Sequence, residues 1–254
     1  MTRPAPALRS VTALAMHDLR LTARRGENVL VTIVIPIAVL LFFASTGIIP
    51  NAAGRPVDFL VPGAIALAIV ASGLVNLGIA TAYERSYGVL KRLGGAPIPR
   101  WGLVGAKVAA ILVLEVVQVV ALLAVGGLVL GWAPGDDWSP LLFVAVIALG
   151  TVAFASLGLL LAGTLRAEAT LALANGLFLG LLMLGGIVLP IDHLPEAVRP
   201  FAALLPSTAL ADLLRISLAS ALGPTPPDPI GSVAILAAWA IGAAALTIRT
   251  FRWE

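Results

Sequence analysis

The chain has 254 residues, of which 60% are hydrophobic and only 11% charged, against about 25% charged in an ordinary soluble domain. A mean hydropathy of +1.05 excludes a soluble globular domain and a disordered chain, and a net charge of +3 with a pI near 9.9 is too weak a field for a nucleic-acid-binding domain. No cysteine is present, which excludes disulfides, thiolate metal sites and a Cys nucleophile.

Residues 8–25 sort into two faces at helical spacing. Leu8, Val11, Leu14, Ala15, Leu19 and Leu21 fall on one side, with Asp18 as an exception among them, and Arg9, His17, Arg20 and Arg24 on the other. This predicts an interfacial helix with its cations toward anionic headgroups; a basic tail is the plainer alternative. Long uncharged stretches follow. They predict six membrane spans near 29–49, 59–82, 103–131, 141–164, 169–190 and 230–250, each reaching the roughly 20 apolar residues a crossing helix needs. The runs lack the period-two alternation of a barrel strand. The first is too long for a cleavable signal and follows a polar segment. The expected fold is an all-α integral membrane protein with one transmembrane domain over 1–254.

Between the second and third spans, Glu84 to Leu93 predicts a short cytoplasmic helix. Gly94 and Gly95 would end it, and Pro97 and Pro99 forbid its continuation. Its mixture of acid, base and apolar side chains suits docking onto another protein; a solvated loop fits equally. The proline-rich segment 191–228 predicts two short helices near 195–205 and 207–222, with Ser207 capping the second. These would form an outer re-entrant element, dipping into the outer leaflet or covering an exit. Pro224 to Pro229 would be a stiff connector to the last span.

Orientation follows from the cations. With a cytoplasmic N-terminus, only Arg55, Arg199 and Arg215 of the 16 Lys and Arg lie outside, with Asp58, Asp136, Asp137, Asp192, Glu196, Asp212 and Asp228. Both termini are therefore expected in the cytoplasm. The usage of Arg over Lys, with much Ala, Gly and Pro, suggests a GC-rich bacterial genome and hence the bacterial inner membrane.

Few polar groups enter the spans. Glu115 is a formal charge well inside the third, with Gln118 nearby. A carboxylate there costs roughly 2.5–3.5 kcal/mol on insertion scales, so it marks an ion or substrate path, or it is protonated or paired. Lys107 is about 12 Å away along the same helix, too far for direct pairing. Asn76 in the second span and Asn175 in the fifth either line a polar path or bond between helices. Ala172, Gly176 and Gly180 form a small-residue stripe suited to close helix packing.

No G-x-x-x-x-G-K-[ST], H-E-x-x-H or G-x-S-x-G pattern occurs. The two histidines, His17 and His193, fall on opposite sides of the membrane. No catalytic set, metal site or bound cofactor is expected in this chain.

The order of these pieces resembles the permease subunit of type-2 ABC exporters, the group that includes the bacterial daunorubicin-resistance permeases. His17-Asp18-Leu19-Arg20 and Arg24 lead into the span holding Pro36. Tyr83-Glu84-Arg85-x-x-Gly88-Val89-Leu90-Lys91-Arg92-Leu93, followed by Ala96-Pro97, is similar to the family's E-R-x-x-G-[TV]-L-x-x-L-x-x-x-P motif. Gly186-x-x-x-Pro190, Leu194-Pro195, Pro206 and Asp212-x-x-Arg215 resemble its outer re-entrant element.

The resemblance implies a transport subunit that is not itself an enzyme. Two permease subunits would pair, as a homodimer when one type is made. A separate ABC ATPase subunit would bind ATP and Mg and seat the 84–93 segment as a coupling helix. Glu84 and Arg85 suit charged hydrogen bonds with a partner groove, Val89, Leu90 and Leu93 suit apolar contact, and Gly88 allows close approach. The first, second and fifth spans would face the path, making Asn76 and Asn175 candidate lining groups. Besides membrane lipids, the expected partner is a small amphipathic or lipophilic substrate, drug- or antibiotic-like or a lipid, as in multidrug efflux and antibiotic resistance. The alternative is a proton-coupled secondary transporter using Glu115.

Overall fold

In a computed structural model of the chain, the described residues are Met16 and residues 26–46, 55–90, 100–220 and 228–251. All regular elements among them are helical. α1 runs Gly26–Thr46. α2 runs Pro56–Ser86 and is α-helical to Val70, π-helical over Ala71–Leu77 and α-helical again over Gly78–Ser86. α3 is Arg100–Leu128, α4 Pro140–Thr164 and α5 Ala167–Leu184. A 3-10 turn at Ile191–His193 precedes α6, Arg199–Ala203, and α7, Pro206–Ser217. α8 is Pro229–Thr250.

Five of these helices, α2, α3, α4, α5 and α8, are long and apolar enough to cross a membrane. α1 takes the place of the first predicted span, but its stretch Thr32–Thr46 is a shorter apolar helix. The predicted interfacial helix 8–25 lies outside the described residues except for Met16, as do Leu93 and most of the Pro224–Pro229 connector.

Start signals are local. Pro56, Pro140, Pro206 and Pro229 each open a helix, where the missing N–H has no intrahelical partner to lose. Asp228 caps α8 by accepting from Ile230 N and Gly231 N, each at 3.0 Å. At α7 the capping position is Leu205, with no side-chain bond. Ser207 lies inside the first turn, buried and without a hydrogen-bond partner. The expected Ser207 cap is thus replaced by proline's preset φ. α5 ends at Leu184, six residues before the predicted limit of 190, because Gly185 and Gly186 follow and Gly186 takes φ +63°.

α2 is the hub. Every residue from Phe59 to Val70 is buried, as a helix apolar on all sides requires. It is surrounded by α1, α3, α4, α5 and α7. α2 and α4 cross with backbones touching: a Cβ on Gly158 would lie 2.4 Å from Gly73 O, and one on Gly73 2.7 Å from Ala155 N. By contrast, Gly176 and Gly180 of the predicted stripe meet nothing within 4 Å inside the chain. On α3, Val113, Val116, Val117 and Val120 form an exposed apolar stripe of the kind lipid covers. α7 does not lie on the surface. It is largely buried against α2, α4 and α8.

Candidate functional site

Three groups of polar side chains stand out at successive depths. The first closes one end of the spans, where α2 finishes. α2 continues through Glu84 and Arg85 to Ser86, so these two belong to the last turn of a span and not to a separate helix beginning at 84. Glu84 Oε2 accepts from Lys107 Nζ of α3 at 2.8 Å. Arg85 Nη2 donates to Leu165 O at the end of α4, where a helix leaves carbonyls without intrahelical donors. The chain then turns at Tyr87–Gly88 with Gly88 at φ +71°, a conformation that favours glycine. A new helical start follows at Val89 and Leu90. Tyr87 is 75% exposed and Val89 42%, whereas Leu90 is fully buried. The surface offered outward is therefore Tyr87 and Val89, with Glu84 and Arg85 bracing it from behind.

The second group lies within the spans. The π segment turns Ser72 and Asn76 toward α3 and α1. Ser72 Oγ donates to Gln118 Oε1 at 2.9 Å, Gln118 Nε2 donates to Thr32 O at 3.0 Å, and Asn76 Nδ2 donates to Thr32 Oγ1 at 3.0 Å. A π insertion often marks a functional position in a helix. Asn76 is exposed along its edge. Asn175 is also exposed, and its Nδ2 donates back to Leu171 O of its own helix at 2.8 Å. No hydrogen bond joins Asn76 and Asn175. Glu115 is fully enclosed. Thr151 Oγ1 of α4 bonds to Glu115 Oε2, while Oε1 has no partner.

The third group is at the opposite end, where α2 begins. Arg215 of α7, only 2% exposed, lies 3.6 Å over the Phe59 ring. Its Nη1 is 3.3 Å from Asp212 Oδ1, and its Nη2 donates to Gly186 O at 2.7 Å and Ile187 O at 3.3 Å. Gly63 makes this possible: a Cβ there would lie 2.2 Å from Ile187 O. Burial lowers the Arg215 guanidinium to about 10, with Asp212 opposing the shift, so it stays cationic at neutral pH. Burial raises the Asp212 carboxyl, Arg215 lowers it by charge and hydrogen bond, and Asp192 raises it again. A cavity of about 310 Å³ adjoins this cluster, walled by Phe59, Ile191, Asp192, Asp212, Asp228 and Ile235 among others.

Comparison with known proteins adds the family. The description "ABC-2 type transporter" matches residues 9–219, which is most of the chain. The chain belongs to the ABC-2 type transporter family. It is similar to the Bacillus subtilis (strain 168) protein named "Putative transport permease YvfS", with 22% identity over 202 residues, 76% of this chain and 79% of that protein. The chain is thus an ABC transporter permease, a multi-pass transport subunit and not itself an enzyme, and its family implies an ABC ATPase partner. The secondary-transporter alternative is not favoured.

Sequence reasoning missed Lys107 as the partner of Glu84, Thr151 as the partner of Glu115, and the cavity beside Arg215. Asp212-x-x-Arg215 was the one visible signal for the last.

Proposed function

We propose that this permease, of the daunorubicin-resistance type, moves amphipathic or lipophilic molecules out of the cytoplasm across the bacterial inner membrane. A separate ATPase subunit binding ATP and Mg supplies the energy. α1 serves as the sixth span, and both termini are cytoplasmic. The exposed face of α5, with Ala172, Asn175, Gly176 and Gly180, faces a second copy in a homodimer. Asn76 and Asn175 line the path. Residues 84–93 seat in the ATPase.

The observation that carries this reading is the bracing behind Tyr87 and Val89. The Lys107–Glu84 ion pair ties α2 to α3, and the Arg85 bond ties α2 to the end of α4. A push on the Tyr87–Val89 knuckle would pass to three spans at once, as coupling to ATP-driven closure requires. Glu115 is shut off from solvent, which does not favour the proton-coupled alternative.

The test is co-purification from native membranes. The wild-type permease should bring down a P-loop ATPase. Tyr87→Ala with Val89→Asp should lose it while the folded permease persists. Recovery of the ATPase with that double variant at wild-type yield contradicts the docking site.

A further inference from the structure

We infer that α1 carries a hinge at Thr32–Pro36 and that Gln118 of α3 is its latch, so that breaking one side-chain bond frees the stretch of α1 beyond Pro36 to swing. The inference goes beyond the transport reading and does not depend on it.

The hinge begins with a missing donor. In a continuous α-helix the carbonyl of Thr32 accepts from the N–H four residues on, and that position is Pro36. Proline has no N–H, and its ring crowds the carbonyl of residue i−4. Such positions are where helices usually kink. No water reaches the middle of a bilayer to replace the lost bond, so a proline inside a span relies on a neighbouring helix to supply it. Here the supplier is Gln118, whose Nε2 donates to Thr32 O at 3.0 Å.

The latch is itself held in place. Gln118 is buried, and its Oε1 accepts from Ser72 Oγ of α2 at 2.9 Å, which aims the other end of the amide at α1. Thr32 is engaged again through Oγ1, which accepts from Asn76 Nδ2 at 3.0 Å. Ser72 and Asn76 both belong to the π segment Ala71–Leu77. The regular ladder is thus interrupted in two touching helices, and the polar bonds from α2 and α3 to α1 meet at Thr32. Beyond Pro36 the contacts with the bundle are apolar, through Ile37, Leu40 and Phe43, and the hydroxyls of Ser45 and Thr46 bond back to their own helix. Apolar contact has no fixed direction, so it lets this stretch shift where a directed bond would not.

The test uses the purified full-length permease in detergent and a substitution that returns the missing donor. Pro36→Ala restores an N–H at the position that serves Thr32 O. Gln118→Leu should lower the melting midpoint by about 2–4 °C or more, the shift expected for a hydrogen bond in a chain of this size. Made on Pro36→Ala, the same substitution should cost markedly less, because only the Ser72 bond is then lost. The swing is read as the distance distribution between nitroxides on Phe42→Cys and Val120→Cys, both exposed positions in a chain without cysteine. It should be narrow with Gln118 present, broaden in Gln118→Leu, and narrow again when Pro36→Ala is added. A Val120→Cys and Val144→Cys pair, on α3 and α4, should not change. If Gln118→Leu alone does not fold, recovery of folded protein on adding Pro36→Ala is the supporting result and no recovery the contrary one. An equal cost of Gln118→Leu in both backgrounds, or a distribution that Gln118→Leu leaves unchanged, overturns the hinge. Neither ATPase nor substrate enters the assay, so its failure leaves the transport reading standing, and the reverse holds too.

Discussion

Lys107 Nζ stands 2.8 Å from Glu84 Oε2, joining the start of α3 to the end of α2. Lys107 is 3% exposed and Glu84 25%, so water screens the pair only in part. About three turns further into the spans, Ser72 and Gln118 tie the same two helices again. Glu84→Gln and Lys107→Met should each lower thermal stability in detergent. A double-mutant cycle should return a coupling of about 1–3 kcal/mol, as for residues sharing one contact. Strictly additive losses would mean that the pair does not hold the helices together.

The α2–α4 crossing has no room for a side chain. A methyl at Gly158 would meet Gly73 O at 2.4 Å and Leu74 O at 2.9 Å, both backbone. Gly158→Ala should therefore cost about 1–3 kcal/mol or more from overpacking, and the purified yield should fall. Gly176→Ala on α5 meets nothing inside the chain. It should leave monomer stability unchanged while weakening pairing of two copies. Size-exclusion chromatography and thermal melting separate the two effects.

Much of the fold was legible because charges punctuate the apolar runs. Glu27, Arg55, Asp58, Glu84 and Arg166 lie at or near span limits, and helix-opening prolines mark several starts. The limits that moved had local causes, such as the Gly185–Gly186 break that shortens α5. The contacts were less legible. Glu84 and Lys107 are 23 residues apart in the chain, and only the packing of α2 against α3 brings them together. The π segment is set by packing around Gly73 and Gly78, which no periodicity in 71–77 announces. Thr151 reads as an ordinary span residue until α4 is placed against Glu115.

Glu115 packs at 0% exposure against Thr151, with no Lys or Arg within ion-pair distance among the described residues. An uncharged amide has nearly the same shape. Glu115→Gln should keep ATP-driven transport largely intact, whereas Glu115→Ala should lose about 2–4 kcal/mol by leaving a void. Loss of transport in a normally assembled Glu115→Gln permease would make Glu115 part of the transport path instead.

The most direct test of the account is the energy source. Inside-out proteoliposomes holding the permease with its co-purified ATPase would be loaded with an amphipathic fluorescent dye outside, and uptake followed with ATP or with an imposed proton gradient. The account predicts uptake with ATP and Mg alone, lost in Tyr87→Ala with Val89→Asp. Uptake driven by the proton gradient in a permease that purifies without any ATPase would contradict it.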